Sequence, residues 1–164
     1  MKFKYKGFTL LELVIIIGII SLVSSLGILA FNYWIKKFNI QNDTKLIFSI
    51  LNEARTMAFT NKKTCGILWK EDKFKSIELR CDTNNDDKID DNNGYQVIKK
   101  ITLKTYFYSN LNCKYIRFEK EGFAKDSGSI MSSIKDIKPR YNCVKLFKTR
   151  IKLGHLEGNE CKLE

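Results

Sequence analysis

The chain has 164 residues, a formal net charge of +11 and a pI of about 9.4, with 44% hydrophobic residues. That length holds one modest domain. The lone histidine, His155, has no cysteine or serine nearby in a nucleophile setting, and no Gly-rich phosphate loop occurs, so nothing recommends an enzyme.

The first seven residues read as a leader peptide whose lysines, at 2, 4 and 6, hold it on the cytoplasmic side. Residues 8–31 follow, an apolar stretch of 24 residues whose only ionisable side chain is Glu12. Coiled as a helix at about 1.5 Å per residue, it is long enough to cross a bilayer core. The expectation is a transmembrane half-helix with everything after it outside the cytoplasm. In an ordinary secretory signal a short apolar stretch precedes a small-residue cleavage site; here the small residue, Gly7, precedes a longer stretch. A plain signal anchor is the competing reading.

Residues 6–13, Lys-Gly-Phe-Thr-Leu-Leu-Glu-Leu, resemble the class III signal of prepilins and pseudopilins. The resemblance implies cleavage between Gly7 and Phe8 by a prepilin peptidase and N-methylation of Phe8. It also implies that Glu12, the fifth residue of the mature chain, meets the N-terminus of a neighbouring subunit and sets register in assembly. A carboxylate in hydrocarbon costs several kcal/mol unless paired or neutralised, which gives Glu12 a physical need for such a partner.

The helix is expected to continue through residues 32–61 as an amphipathic half. Ile47, Ile50, Leu51, Ala54, Met57 and Ala58 recur at three- and four-residue spacing, with Asn52, Glu53, Arg55 and Thr56 on the other side. The one proline is Pro139, so no proline kinks the helix; Gly18 and Gly27 are the places where it could bend or approach a neighbour.

From residue 62 to 164 short β-rich runs alternate with polar turns. Candidate strands are 64–69, 74–81, 95–101, 105–108, 115–119, 129–132, 142–147 and 150–153. The fold class is α+β: a long N-terminal helix packed on an antiparallel β-sheet head, which is the pilin fold if the resemblance holds. The order of features in the head is similar to that of the GspH/FimT group of minor pilins and pseudopilins. That order is an N-terminal hairpin, an acidic turn, Phe118 to Gly122, a serine/glycine-rich strand, and a closing basic strand pair containing Arg150 with Cys161 near its end.

All five cysteines lie beyond the apolar segment, where an oxidising periplasm or cell exterior permits disulfides. Sequence does not fix their connectivity. The expectation is Cys65 with Cys81 across one hairpin and Cys143 with Cys161 across another, leaving Cys113 free. In the acidic turn, Asp82, Asn84, Asp86 and Asp90 take the first, third, fifth and ninth places of a calcium loop. Asp87 stands where that loop wants glycine, and Asn93 where it wants a bidentate glutamate, so a solvated hairpin loop is the competing reading. No other cofactor is suggested.

Charge is uneven: residues 96–164 hold fifteen basic and seven acidic groups, net +8. Such a field attracts polyanions, with extracellular nucleic acid the familiar case. Lys145, Lys148, Arg150, Lys152 and His155 lie in or beside the last two strands, near Tyr141 and Phe147. Residues 149–152, Thr-Arg-Ile-Lys, are similar to the Gly-Arg-x-Arg element by which FimT-type pilins are held to bind DNA. By that resemblance Arg150 and Lys152 would contact phosphates. A merely solvated lysine-rich face is the alternative.

Together these features lead to the expectation of a minor type IV pilin, single-pass in the bacterial inner membrane with its head in the periplasm, and on the surface once assembled in a pilus. Its partners would be other pilins or pseudopilins, the prepilin peptidase and the membrane. The alternatives are a DNA-binding pilin of natural transformation and a GspH-like pseudopilin of type II secretion.

Overall fold

The computed structural model describes residues 7–84, 89 and 95–163, with the side chains of residues 25–30 left out. It falls into two compact units, Met1–Lys36 and Lys37–Glu164.

A single helix, α1 (Leu10–Asn61), belongs to both units. In the first unit its apolar side chains, from Leu10 through Val23, are exposed. Among the described residues no helix is long and apolar enough to cross a membrane. The apolar sequence itself runs on through residues 25–30.

In the second unit α1 becomes one-sided. Ile40, Ile47, Ile50, Leu51, Ala54 and Ala58 are buried, at the three- and four-residue spacing that a core-facing stripe requires. Each fully buried isoleucine or leucine on that stripe contributes about 1.5–3 kcal/mol relative to an exposed one. Arg55 departs from the expected solvent face. Its guanidinium lies 5.2 Å from the centre of the Phe118 ring, its Nε and Nη2 are buried without a hydrogen bond, and burial lowers its pKa. The helix ends in a Schellman arrangement: Lys62 takes a left-handed φ of 53° and the Lys63 amide donates to the Ala58 carbonyl at 3.3 Å.

Eight strands follow: β1 (Cys65–Leu68), β2 (Lys73–Asp82), β3 (Tyr95–Ser109), β4 (Tyr115–Phe118), β5 (Gly128–Ser132), β6 (Cys143–Leu146), β7 (Ile151–Glu157) and β8 (Glu160–Lys162). They form one sheet in the order β4-β1-β2-β3-β5-β6-β7-β8, every neighbouring pair antiparallel. Two sequence expectations are corrected. Segments 95–101 and 105–108 are one strand: Thr102 pairs with Ser76 of β2 and Phe107 with Phe74, and the residues between them, with Leu103 buried, bulge out of a ladder that runs on. The chain also turns once more after β7: Gly158, at φ +62°, takes the first of the two turn positions and makes β8 possible.

The main core lies between α1 and one face of the sheet, where Ile67, Ile77, Leu79, Phe107, Ile116, Phe118, Val144 and Leu146 meet the helix stripe. On the opposite face a small cluster joins Met131, Cys143 and Cys161, with Tyr108 and Leu156 packed on it. Residues 119–124 turn back beneath the helix end. Gly122, at φ +79°, lies where a Cβ would stand 3.5 Å from Phe59, and the Ala124 amide donates to the Lys148 carbonyl at 2.9 Å.

Candidate functional site

The N-terminal motif is also a helix start. Thr9 precedes the first helical residue, and its Oγ1 accepts the Glu12 amide at 3.2 Å while its carbonyl accepts the Leu13 amide at 3.2 Å. Thr9 is thus the N-cap and Glu12 the N3 residue, the spacing of a capping box. First-turn amides without helical acceptors and the helix dipole make this end electropositive, so a carboxylate at N3 is favourable there even before any neighbour arrives. Glu12, Gly7 and Phe8 are all exposed. The same Thr-x-x-Glu spacing thus belongs both to the processing motif and to the helix cap.

The disulfides lie on opposite faces of the sheet. Cys65 and Cys81 are directly opposed partners of β1 and β2, and their bond lies in the main core. Cys143 and Cys161 do not close a hairpin as expected: they sit on β6 and β8, and their bond spans the intervening β7 on the outer face. Gly154 of β7 pairs with Cys143 and lies under that bridge. A Cβ there would stand 3.0 Å from the Cys161 Sγ and 2.3 Å from the Lys162 carbonyl oxygen, so only glycine fits. Cys113 is a free, half-buried thiol.

Of the basic residues near the C-terminus, the structure gathers some and separates one. Lys145 and Lys152 are directly opposed on β6 and β7, on the same outer face. The connecting turn is closed by the Phe147 amide donating to the Arg150 carbonyl at 2.8 Å, and the Arg150 guanidinium lies 4.8 Å from the Phe147 ring centre. Lys148 is exposed in that turn, with its carbonyl held by Ala124. Lys145 Nζ donates to the Cys161 carbonyl at 3.3 Å and flanks a groove also lined by Asn110, Phe147 and Glu160. His155 is elsewhere. Three residues past Lys152 on the same strand, it projects from the other face and bonds to Glu157 at 3.1 Å, which in turn pairs with Lys162.

In the acidic turn, Asp82 is buried and its Oδ1 accepts the Asn84 amide at 2.9 Å, closing a local turn. Asp86 and Asp90 lie outside the described residues. Among the described residues no group of three or more histidine, cysteine or acidic side chains is placed to hold a metal ion. Ile89, in the middle of the turn, is buried, its Cδ1 2.6 Å from where a Cβ on Gly66 would stand.

Two further polar clusters carry no motif in the sequence: one joins residues 62 positions apart, and the other pairs near neighbours on a single strand. Asp43 of α1 is buried, and one carboxylate oxygen accepts both the amide and the hydroxyl of Thr105 at 2.7 Å. Thr105 sits where β3 bulges away from β2, so Asp43 satisfies a backbone amide that the ladder leaves out. On β2, the buried Arg80 bonds to Glu78 at 2.5 Å and stacks on Tyr95 at 4.0 Å. That bond, chiefly, holds the Glu78 carboxyl below its usual range, with Lys100 adding to it.

The family model for the prokaryotic N-terminal methylation motif matches residues 2–28. Among solved structures the chain is similar in fold to the type IV minor pilin FimU of Pseudomonas aeruginosa (strain PAO1) in two crystal forms. One is 10% identical, covering 77% of this chain and 99% of that one with a TM-score of 0.57. The other is 12% identical, covering 73% and 99% with a TM-score of 0.54. No curated protein matches the sequence.

Proposed function

We propose that this type IV pilin-like chain is a minor pilin: a low-copy, non-catalytic subunit that is cut between Gly7 and Phe8, methylated on Phe8, and held in the inner membrane by residues 8–31. The observation that carries the reading is the joining of a methylation motif to a helix that serves, further along, as the spine of a sheet-bearing head. The likeness in fold to a minor pilin supports it. Assembly then runs through the N-terminal helix. The Glu12 carboxylate, set near its own helix terminus by the Thr9 cap, pairs with the methylated amine of the next subunit. The other partners are sibling pilins and the prepilin peptidase.

Co-expression with a prepilin peptidase, followed by mass spectrometry of the membrane fraction, tests this. The mature chain should begin at Phe8 and be heavier by one methyl group. Gly7→Val should remain full length. A Glu12→Ala variant should be cut normally yet fail to enter pili; normal incorporation would sink the assembly role.

A second reading, DNA capture, is favoured by one observation: Lys145 and Lys152 face each other directly, beside Arg150 stacked on Phe147. Like charges directly opposed across strands repel, and a phosphate backbone lying over them would relieve that repulsion. Lys145, Lys148, Arg150 and Lys152 would form the contact, with His155 on the other face left out. Salt-sensitive gel-shift binding that drops on Arg150→Ala/Lys152→Ala supports the reading, and no binding at low salt ends it.

A further inference from the structure

Residues 9–30 contain no aromatic side chain, and between the leader and Lys36 there is no basic one. Both appear together directly after the apolar stretch. Phe31, Tyr33 and Trp34 are 60%, 50% and 58% exposed, and Lys36 is exposed beside them. At 3.6 residues per turn these four side chains project to all sides of the helix, and residues 31–36 occupy about 8 Å of its length. A helix that packs on protein presents one face, as α1 does further along. A ring of aromatic and cationic groups at one height suits a planar boundary that surrounds the helix, where indoles and phenols take the headgroup level and a lysine meets anionic lipid.

We propose that residues 31–36 form an interfacial girdle that seats the unassembled subunit in the headgroup layer of an anionic bilayer, Trp34 at the edge of the hydrocarbon. This rests on the membrane-anchor reading above and adds a depth to it. Twenty-two residues separate Trp34 from Glu12, about 33 Å of helix. The hydrocarbon core is about 30 Å thick. With Trp34 at one boundary, Glu12 therefore reaches the other and stays hydrated while the subunit waits in the membrane. The carboxylate is desolvated only when the helix leaves the bilayer for the filament, so the need for a partner amine arises at the moment of assembly.

The chain has two tryptophans, and the second, Trp69, is buried against Phe74 in the head. The Trp34 emission is thus the difference between the wild type and Trp34→Phe, with no change to the core. The full chain is reconstituted into phosphatidylglycerol-containing vesicles whose acyl chains are brominated either near the glycerol or near the bilayer centre. Insertion is scored separately by flotation. Trp34 should be quenched several-fold more by the shallow bromines than by the deep ones, and should be shielded from aqueous iodide. In Tyr33→Ser/Lys36→Gln the preference for shallow quenching should weaken while flotation persists. A chain that floats but whose Trp34 is open to iodide, or is quenched most at the bilayer centre, overturns the girdle while leaving the anchor intact. A chain that does not float overturns the anchor, and the girdle with it.

Discussion

Removing the Asp43 carboxylate should uncouple the helix from the sheet. One buried oxygen of Asp43 accepts two hydrogen bonds from Thr105, both at 2.7 Å. Hydrogen bonds to a charged group contribute about 1.5–3 kcal/mol each, and a buried amide left without a partner costs about 1–3 kcal/mol. Shared use of one oxygen and the cost of desolvating the carboxylate reduce the sum, so Asp43→Ala should destabilise the head by about 3 kcal/mol. Thr105→Val removes the hydroxyl but keeps the amide bond, and should cost about 1 kcal/mol. In the double variant the hydroxyl has already lost its acceptor, so the two effects should fall short of additivity. Urea unfolding of the detergent-solubilised chain, followed through Trp69 in a Trp34→Phe background, reads all three. An Asp43→Ala loss under 1 kcal/mol, or strict additivity, would refute the anchor argument.

Thr9→Ala removes the helix cap but leaves Gly7 and Phe8 in place, so processing should persist while the first turn frays, weakening filament incorporation less than Glu12→Ala does; pulldown of sheared pili measures both. Gly154→Ala should impede closure of the Cys143–Cys161 bridge, because a Cβ meets the Lys162 carbonyl oxygen at 2.3 Å, and mass mapping of the disulfides after alkylation reads this. Replacing Cys143 and Cys161 by serine should cost about 3 kcal/mol on the loop-closure estimate for a loop of this length and should raise hydrogen exchange first in β8. The Glu78 carboxyl is held low by Arg80, so its contribution is complete above the ordinary carboxylate range and is lost as pH falls through the lowered value. Acid titration of the melting temperature should show that loss in the wild type and a smaller one in Glu78→Gln.

Legibility in the sequence followed the distance over which each feature is made. The processing motif is local chemistry, and residues 2–28 carry it without help from the rest of the chain. The helix stripe from Ile47 to Ala58 was readable because burial on a helix repeats at a fixed spacing. Arg55 broke that pattern because its aliphatic stem packs under Gly122 and its guanidinium meets Phe118, a partner 63 positions away. The segment 95–109 looked like two strands because the bulge between its halves is set by β2 and Asp43, not by its own residues. His155 is close to Lys152 in sequence, yet an odd separation along a strand sends the two side chains to opposite faces. The eighth strand was signalled only by a Gly-Asn turn and is three residues long.

The two bridges differ in when they can form. Cys65 and Cys81 are 16 positions apart and face each other as soon as the first hairpin exists. Cys143 has no correct partner until β7 and β8 have been laid down, and by then Cys113 has already been made. For a chain delivered N-terminus first, early oxidation of the first pair removes two thiols with which Cys113 could otherwise be joined in a disulfide. The later choice then narrows to three cysteines, of which Gly154 lets one pair cross the strand between them. The packing that places one bridge inside the core and the other outside it thus also acts as a schedule for oxidation.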